Sequence, residues 1–156
     1  MASHKLNDKW VLWFHNPHDT NWSIDSYKNL HNIENISDYW LINNILTQKI
    51  IENSMLFIMR DNINPLWEDD HNKNGGCWSF KYPKNNILNI WNEFTMNLLG
   101  ENFVSSEHNI INGISISPKK NFCIIKIWLN SKKNNINFLK KIKEINYDGS
   151  IFKAHN

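Results

Sequence analysis

The stretch Asn64-Pro65-Leu66-Trp67-Glu68-Asp69-Asp70-His71-Asn72-Lys73-Asn74-Gly75-Gly76-Cys77-Trp78 decides how this chain is read. Pro65 opens it and two glycines close it, which marks a shaped loop rather than a helix or a strand interior. Trp67 directly precedes Glu68. An indole presents a flat face whose π quadrupole attracts positive charge, and a carboxylate presents two acceptor oxygens to N–H groups. Together on one loop they can hold a flat, hydrogen-bonding ring that carries positive charge, and a methylated purine fits that description. A Trp beside an acid is also an ordinary packing anchor next to a solvated charge, so the rest of the chain has to decide.

Composition sets the bounds. With 156 residues the chain reads as one domain, 1–156, long enough to bury a core. A net charge of +2 does not by itself call for nucleic acid. Much of the polarity comes from Asn, which is not the composition of a disordered acidic tail. The chain carries eight Trp, a heavy load for a small domain, so some indoles are expected to work outside the core. Cys77 and Cys123 have neither metal-site spacing nor a disulfide framework. No signal peptide precedes the first strand and no apolar run reaches membrane length, so a cytosolic or nuclear location and a monomer without membrane contact are expected.

Glu68-Asp69-Asp70-His71 imitates a metal site, but consecutive residues rarely converge on one ion. No nucleophile motif, phosphate loop or dinucleotide fingerprint is present. The expectation is no enzyme, no metal and no cofactor.

Along the chain, Trp10–Phe14 reads as a first strand, residues 15–21 as a loop ending at Trp22, and Ser23–His31 as a weakly alternating strand. Asn35 or Ser37 caps a helix running to about Gln48. Met55–Met59 is a buried strand. Cys77–Tyr82 alternates with Trp78, Phe80 and Tyr82 on one face. Asn86–Leu99 is a helix closed by Gly100 at its C′ position, with Ile87, Ile90, Phe94 and Leu98 as its main stripe and further apolar area at Leu88, Trp91, Met96 and Leu99. Ile110–Ser117 and Phe122–Leu129 are strands joined by the turn 118–121. Lys132–Ile145 is predicted as a third helix from apolar residues spaced by three, and Ile151-Phe152 as a last strand. The predicted fold is α+β: a curved antiparallel sheet of about eight strands, three helices on its convex face, and a pocket on the concave one.

Several uncommon combinations stand in order: His4-x-Leu6-x-x-x-Trp10-x-Leu12-Trp13-Phe14, Asp38-Tyr39-Trp40, Pro65-Leu66-Trp67-Glu68-Asp69, Asn72-Lys73-x-Gly75-Gly76-x-Trp78, Trp91-x-Glu93, Gly100-Glu101-x-Phe103 and Ile127-Trp128. In these the chain resembles the eukaryotic translation initiation factor 4E family, the messenger RNA cap-binding proteins, from His4 to about His155. The resemblance implies that Trp22 and Trp67 sandwich 7-methylguanine, whose N7 methylation makes it cationic, and that Glu68 accepts its N1–H and N2–H₂. It implies that the Trp67 backbone N–H donates to O6 and that Trp128 packs near the methyl group. Lys119 matches a phosphate ligand, with Lys120 beside it. A second family cation falls at Ile124 and another at Cys77, so the phosphate grip is weaker here or rebuilt from Lys120, Lys126 or Lys153.

The resemblance also implies a partner surface on the helical side, where an initiation factor 4G-like scaffold or a 4E-binding repressor lays a short helix. His4, Ile36, Trp40, Glu93 and Met96 match that surface and Gly100 its rim, while Asn92 replaces a usually apolar residue. Other readings remain open: a partner-binding or repressor module that uses the Trp40/Trp91 face without productive initiation, or an aromatic cage for methylated lysine.

Overall fold

The computed structural model describes residues 4–156, and Met1-Ala2-Ser3 lies outside the described residues. Seven strands form one sheet: β1 Lys5–His15, β2 Tyr27–Asn35, β3 Met55–Arg60, β4 Gly76–Pro83, β5 Ile111–Pro118, β6 Phe122–Leu129 and β7 Ile151–Ala154. Their spatial order is β2-β1-β3-β5-β6-β4-β7, and every pair is antiparallel. Register shifts in β1 and at Ile111/Gly113 in β5 bend the strands where an extra residue is accommodated. The helices are α1 Ile36–Ile45, α2 Gln48–Asn53 and α3 Ile87–Leu99.

Alternation along each strand gives the sheet two unlike faces. Trp10, Leu12, Leu56, Ile58, Ile114, Ile116, Ile125, Ile127, Trp78, Phe80 and Tyr82 point to the helices and merge with Trp91, Phe94 and Leu98 of α3 into the main core. The intervening residues build a smaller cluster on the opposite, open face: Phe57, Met59, Cys77 and Trp128, with Trp13, Tyr27 and Met55 against it. Full burial of a large apolar side chain contributes about 1.5–3 kcal/mol, so the main core stabilises the fold and the small one stiffens whatever is built on the open face.

Four expectations need correction. The helix expected from Asn35 or Ser37 to Gln48 is two helices. Asn35 caps α1 with a reciprocal Asp38 bond, the chain leaves helical geometry at Leu46, and Thr47 caps α2 through its bond from Ile50 N–H.

The helix expected at Lys132–Ile145 does not form; that segment holds only a 3-10 turn at Ile136–Phe138. Its period of three suits a strap as well as a helix. Leu139 and Ile145 anchor it in the core, and its backbone bonds outward: Lys140 N–H donates to Phe103 O, and Lys133 O accepts the Trp78 indole N–H.

The left-handed residue after α3 is Glu101, with φ 54°, rather than Gly100, with φ −82°. A non-glycine residue there costs about 1–2 kcal/mol, offset by the bidentate pairing of Glu101 with buried Arg60 at 2.6 and 3.2 Å. Finally, the expected strand at Ser23–His31 begins only at Tyr27, after a 3-10 turn at Ile24–Ser26.

Candidate ligand-binding site

The loop 61–75 is held from inside by Asn72, which is fully buried. Its amide N–H₂ donates to Leu66 O at 2.8 Å and Asn64 O at 3.2 Å, and its side-chain oxygen accepts from buried Asn112 at 2.8 Å. Asp69 turns inward to accept from Asn64 N–H and His71 N–H. Burial pushes the Asp69 carboxyl up, but these backbone bonds and the His71 ring outweigh it and hold it below the usual carboxylate range. Asp70 turns outward to Lys73 at 2.8 Å. The four residues from Glu68 to His71 thus point different ways, and the loop's inner bonds leave Trp67 and Glu68 at its exposed rim. Gly75 has to be glycine: a Cβ there would run into the Leu129 carbonyl of β6.

A cavity of about 300 Å³ opens on the open face, lined by Trp67, Cys77, Ser79, Lys126, Trp128, Lys153, Ala154 and His155. Strand register explains the set. Cys77 of β4 pairs with Trp128 of β6 on one side and Lys153 of β7 on the other, and Lys126 pairs with Ser79. The floor is rigid: Trp128 is buried and its indole N–H donates to Ser115 Oγ at 3.0 Å. His155 Nδ1–H donates to Asn72 O at 2.7 Å, since a carbonyl can only accept, and its Nε2 meets Cys77 Sγ at 3.2 Å. Burial pushes the Cys77 thiol up to about 12, against the pull of Lys126, so it is a neutral packing group and not a nucleophile. Burial, helped by Lys126, pushes His155 below the ordinary imidazole value against its bond to Asn72 and the charge of Glu68.

Trp22 arrives at the same face by a chain of turns. Asn16, Asp19 and Asn21 each accept a backbone N–H two residues on, from His18, Asn21 and Ser23. Its indole stacks on the ring of His15, centroids 4.1 Å apart and planes at 11°. From there ring contacts run through Tyr27, Phe57 and Trp128 to His155. Trp22 and Trp67 are 49% and 50% exposed, unusual for indoles in a protein whose other large aromatics are mostly covered. Trp22 does not line the cavity itself. Glu68 is exposed, and its charge reaches both Tyr27 and His155. Tyr27, pushed up to about 12 by burial and then by Glu68, keeps its proton.

Lys119 and Lys120 do not line this cavity. They occupy the turn between β5 and β6, at the far end of β6 from Trp128. The cations on the cavity wall are Lys126 and Lys153, and among the described residues neither is in an ion pair. His15, Tyr27 and Ser115 were not singled out in the sequence. Alternation from Trp13 places His15 on the open face, so period two carried that signal.

On the helical side a second concavity, about 560 Å³, is lined by Tyr39, Trp40, Asn86, Asn89, Ile90, Asn92, Glu93, Met96 and Glu144. Trp40 and Met96 are half exposed. Ile36 is exposed and its backbone N–H donates to His4 O, so His4 and Ile36 sit together, outside the concavity. Trp91 is buried in the core, which removes it from that surface. The broad apolar circumference of α3 is therefore mostly core, with Met96 left over.

The chain is an antiparallel sheet with helices on one face and, on the other, a cavity floored by an indole and walled by lysines. The family model described as eukaryotic initiation factor 4E matches residues 5–154. The chain belongs to that family.

Among curated relatives, eukaryotic translation initiation factor 4E of Candida albicans is 29% identical, covering 99% of this chain and 81% of its own length. That of Dictyostelium discoideum is 31% identical, covering 93% of this chain and 62% of its own length. Among solved structures, Caenorhabditis elegans eIF4E-3 in complex with the 4E-binding protein Mextli and cap analog superposes with a TM-score of 0.77 at 23% identity, covering 87% of this chain and 80% of that one. Ascaris suum eIF4E-3 with m7G cap gives 0.76 at 22%, covering 87% and 79%. Schistosome eIF4E with m7GpppG and 4E-BP gives 0.76 at 22%, covering 85% and 75%. At these identities the superpositions establish the fold.

Proposed function

We propose that the protein binds the 7-methylguanosine cap of messenger RNA and recruits that RNA for translation initiation. The observation that carries this reading is a cavity floored by Trp128 with the half-exposed indole of Trp67 on its wall, the exposed carboxylate of Glu68 next to it in the loop, and the half-exposed indole of Trp22 on the same open face. The methylated base stacks between the two indoles, and its positive charge adds a cation–π contribution of about 0.5–2 kcal/mol. Glu68 accepts the N1–H and N2–H₂ in the plane of the ring, and the Trp67 backbone N–H donates to O6. Adenine offers neither that N–H pattern nor O6 and is refused. The methyl group rests against Trp128.

The phosphates run toward Lys126 and Lys153, which stand on the cavity wall, rather than toward Lys119 and Lys120 at the distant turn. Solved structures of similar proteins in complex with m7G cap and with m7GpppG support the ligand.

The second surface takes a short helix from a 4G-like scaffold or a 4E-binding repressor. Trp40 and Met96 supply its apolar contact, Glu93 its polar one, and His4 and Ile36 its margin. Asn92 lowers the affinity for helices that place an apolar residue there. Complexes of relatives with Mextli and 4E-BP support this.

The test is a titration of 7-methyl-GTP against GTP, followed by Trp fluorescence. Strong quenching by the first and weak quenching by the second is expected. Equal response to both, or none, overturns the cap reading. No response to either, with a short helical peptide bearing a Tyr, a Leu and a further apolar residue still bound in a Trp40-dependent way, assigns the chain to a partner-binding role instead.

A further inference from the structure

We propose that His15 is the positioning residue behind Trp22, and that its protonation loosens the clamp so that affinity for a cationic methylated base falls as pH drops. This rests on the cap-binding reading above.

His15 ends β1 with no exposed surface. Its ring lies flat against one face of Trp22, which leaves the opposite indole face for a ligand. Nε2 is 2.7 Å from Asn21 O; the carbonyl can only accept, so Nε2 carries the proton and donates. Nδ1 is then a bare lone pair, buried and without a partner among the described residues. The neutral imidazole thus does two things at once. It ties down the backbone next to Trp22 and it sets the plane of the indole.

A second proton has nowhere good to go. On Nδ1 it would be a buried N–H with no acceptor, on a cation pressed against the inner face of the indole. The outer face is the one offered to a cationic base. Two cations would then compete for one π system and repel each other across it. Binding of a cationic base and protonation of His15 therefore oppose each other, and by linkage the affinity falls toward acid.

The neighbours do not reverse this. From β2, Tyr27 stands 4.6 Å away and keeps its phenolic proton, so it brings no charge. From β3, the partner across the ladder is Met55. Glu68 lies beyond Tyr27, and Asp19 is engaged by Asn21 N–H; neither carboxylate bonds the imidazole. His155 titrates at the other end of the ring chain, on Trp128, and contributes equally to every variant of His15.

The experiment titrates 7-methyl-GTP at about pH 7.5 and about pH 5.5 into the wild type, His15→Phe, which keeps a stacking ring, and His15→Gln, which keeps a donor. In parallel, the Trp22 indole N–H of the ligand-free chain is followed by NMR over the same pH range. The wild type is expected to lose affinity on acidification more steeply than His15→Phe. His15→Phe keeps the stacking ring but loses the bond to Asn21 O, so it should bind more weakly than the wild type at the higher pH and show the shallower pH profile. His15→Gln should bind more weakly at both pH values. The Trp22 resonance should titrate in the wild type and stay still in both variants. Equal slopes in wild type and His15→Phe, or a Trp22 resonance that ignores pH in the wild type, overturn the proposal. If 7-methyl-GTP binds at neither pH, the cap reading fails, and a titrating Trp22 resonance still upholds the coupling of His15 to Trp22.

Discussion

Glu68→Gln removes one charge and changes almost nothing else. The side chain is exposed and makes no hydrogen bond or ion pair among the described residues. A surface substitution of this kind shifts stability by about 0.5 kcal/mol or less, so any effect on binding is an effect at the site. In the proposed complex the carboxylate accepts two charge-assisted bonds from the guanine edge, each contributing about 1.5–3 kcal/mol. Glutamine keeps one acceptor oxygen, good for about 1 kcal/mol, and turns its amide N–H₂ toward a base that also donates. The net loss is about 2–5 kcal/mol, a drop in 7-methyl-GTP affinity of about 30- to 4,000-fold. Fluorescence titration measures it, and thermal melting of the ligand-free variant provides the control for folding. The Tyr27 titration provides a second control. Burial is the larger cause of its elevation and Glu68 the smaller, so removal of the charge lowers it only partway toward the ordinary phenol. A loss of under about threefold, or the same loss measured with GTP, would refute the assignment of Glu68 to the base edge.

Three further outcomes follow from the geometry. Lys126→Ser and Lys153→Ser should each weaken 7-methyl-GTP binding, leave the nucleoside 7-methylguanosine unaffected, and reduce the salt slope by about one, whereas Lys119→Ser and Lys120→Ser should change little; isothermal titration at two salt concentrations separates the pairs. Asn72→Ala leaves Asn64 O, Leu66 O and the Asn112 amide without their buried partner, and urea unfolding should show a loss of about 2–3 kcal/mol together with weaker binding of 7-methyl-GTP. His155, held below its ordinary value in the folded chain, is neutral there while the unfolded chain takes up a proton. Stability is therefore complete above the unfolded value of about 6.5 and declines as the pH falls below it toward the folded one; His155→Gln should flatten that part of the profile in denaturant titrations.

The strands that carry the site were legible because period two is a strong signal. Trp78, Phe80 and Tyr82 fell on one face as expected, and the same alternation puts Lys126 beside Trp128. Lys119 and Lys120 stand at the hairpin turn and not on the cavity wall, because a position in a turn is set by where the turn ends, not by the face its flanking strands share. The segment 132–145 misled because a spacing of three does not separate a helix from a strap, and its backbone bonds to Phe103 and Trp78 are tertiary. Asn72 and Asn112 were hidden by composition. In a chain so rich in asparagine, a buried structural amide looks like every other one until its partners are known. His15 was missed because the first strand was read as ending at Phe14, one residue short of its true end.

The two faces of the sheet divide the work between rigidity and reach. Trp128, Cys77 and Phe57 are fixed from below by ladder bonds and by Ser115, and fixed side chains cannot close on a ligand. Trp22 and Trp67 sit on loops, where side-chain-to-backbone turns and one buried asparagine define the backbone while the indoles remain half in solvent. In the proposed complex, burying the exposed parts of the two indoles against a flat base would recover apolar area that the free chain leaves in water, and it would order only two short rotamer sets, a small entropic cost. The same logic explains why the floor tolerates Cys77 and Ser79, with no strong charge of their own, beside Lys126 and Lys153. A floor that packs and a rim that selects need different residues, and alternation along β4 and β6 supplies both from single strands.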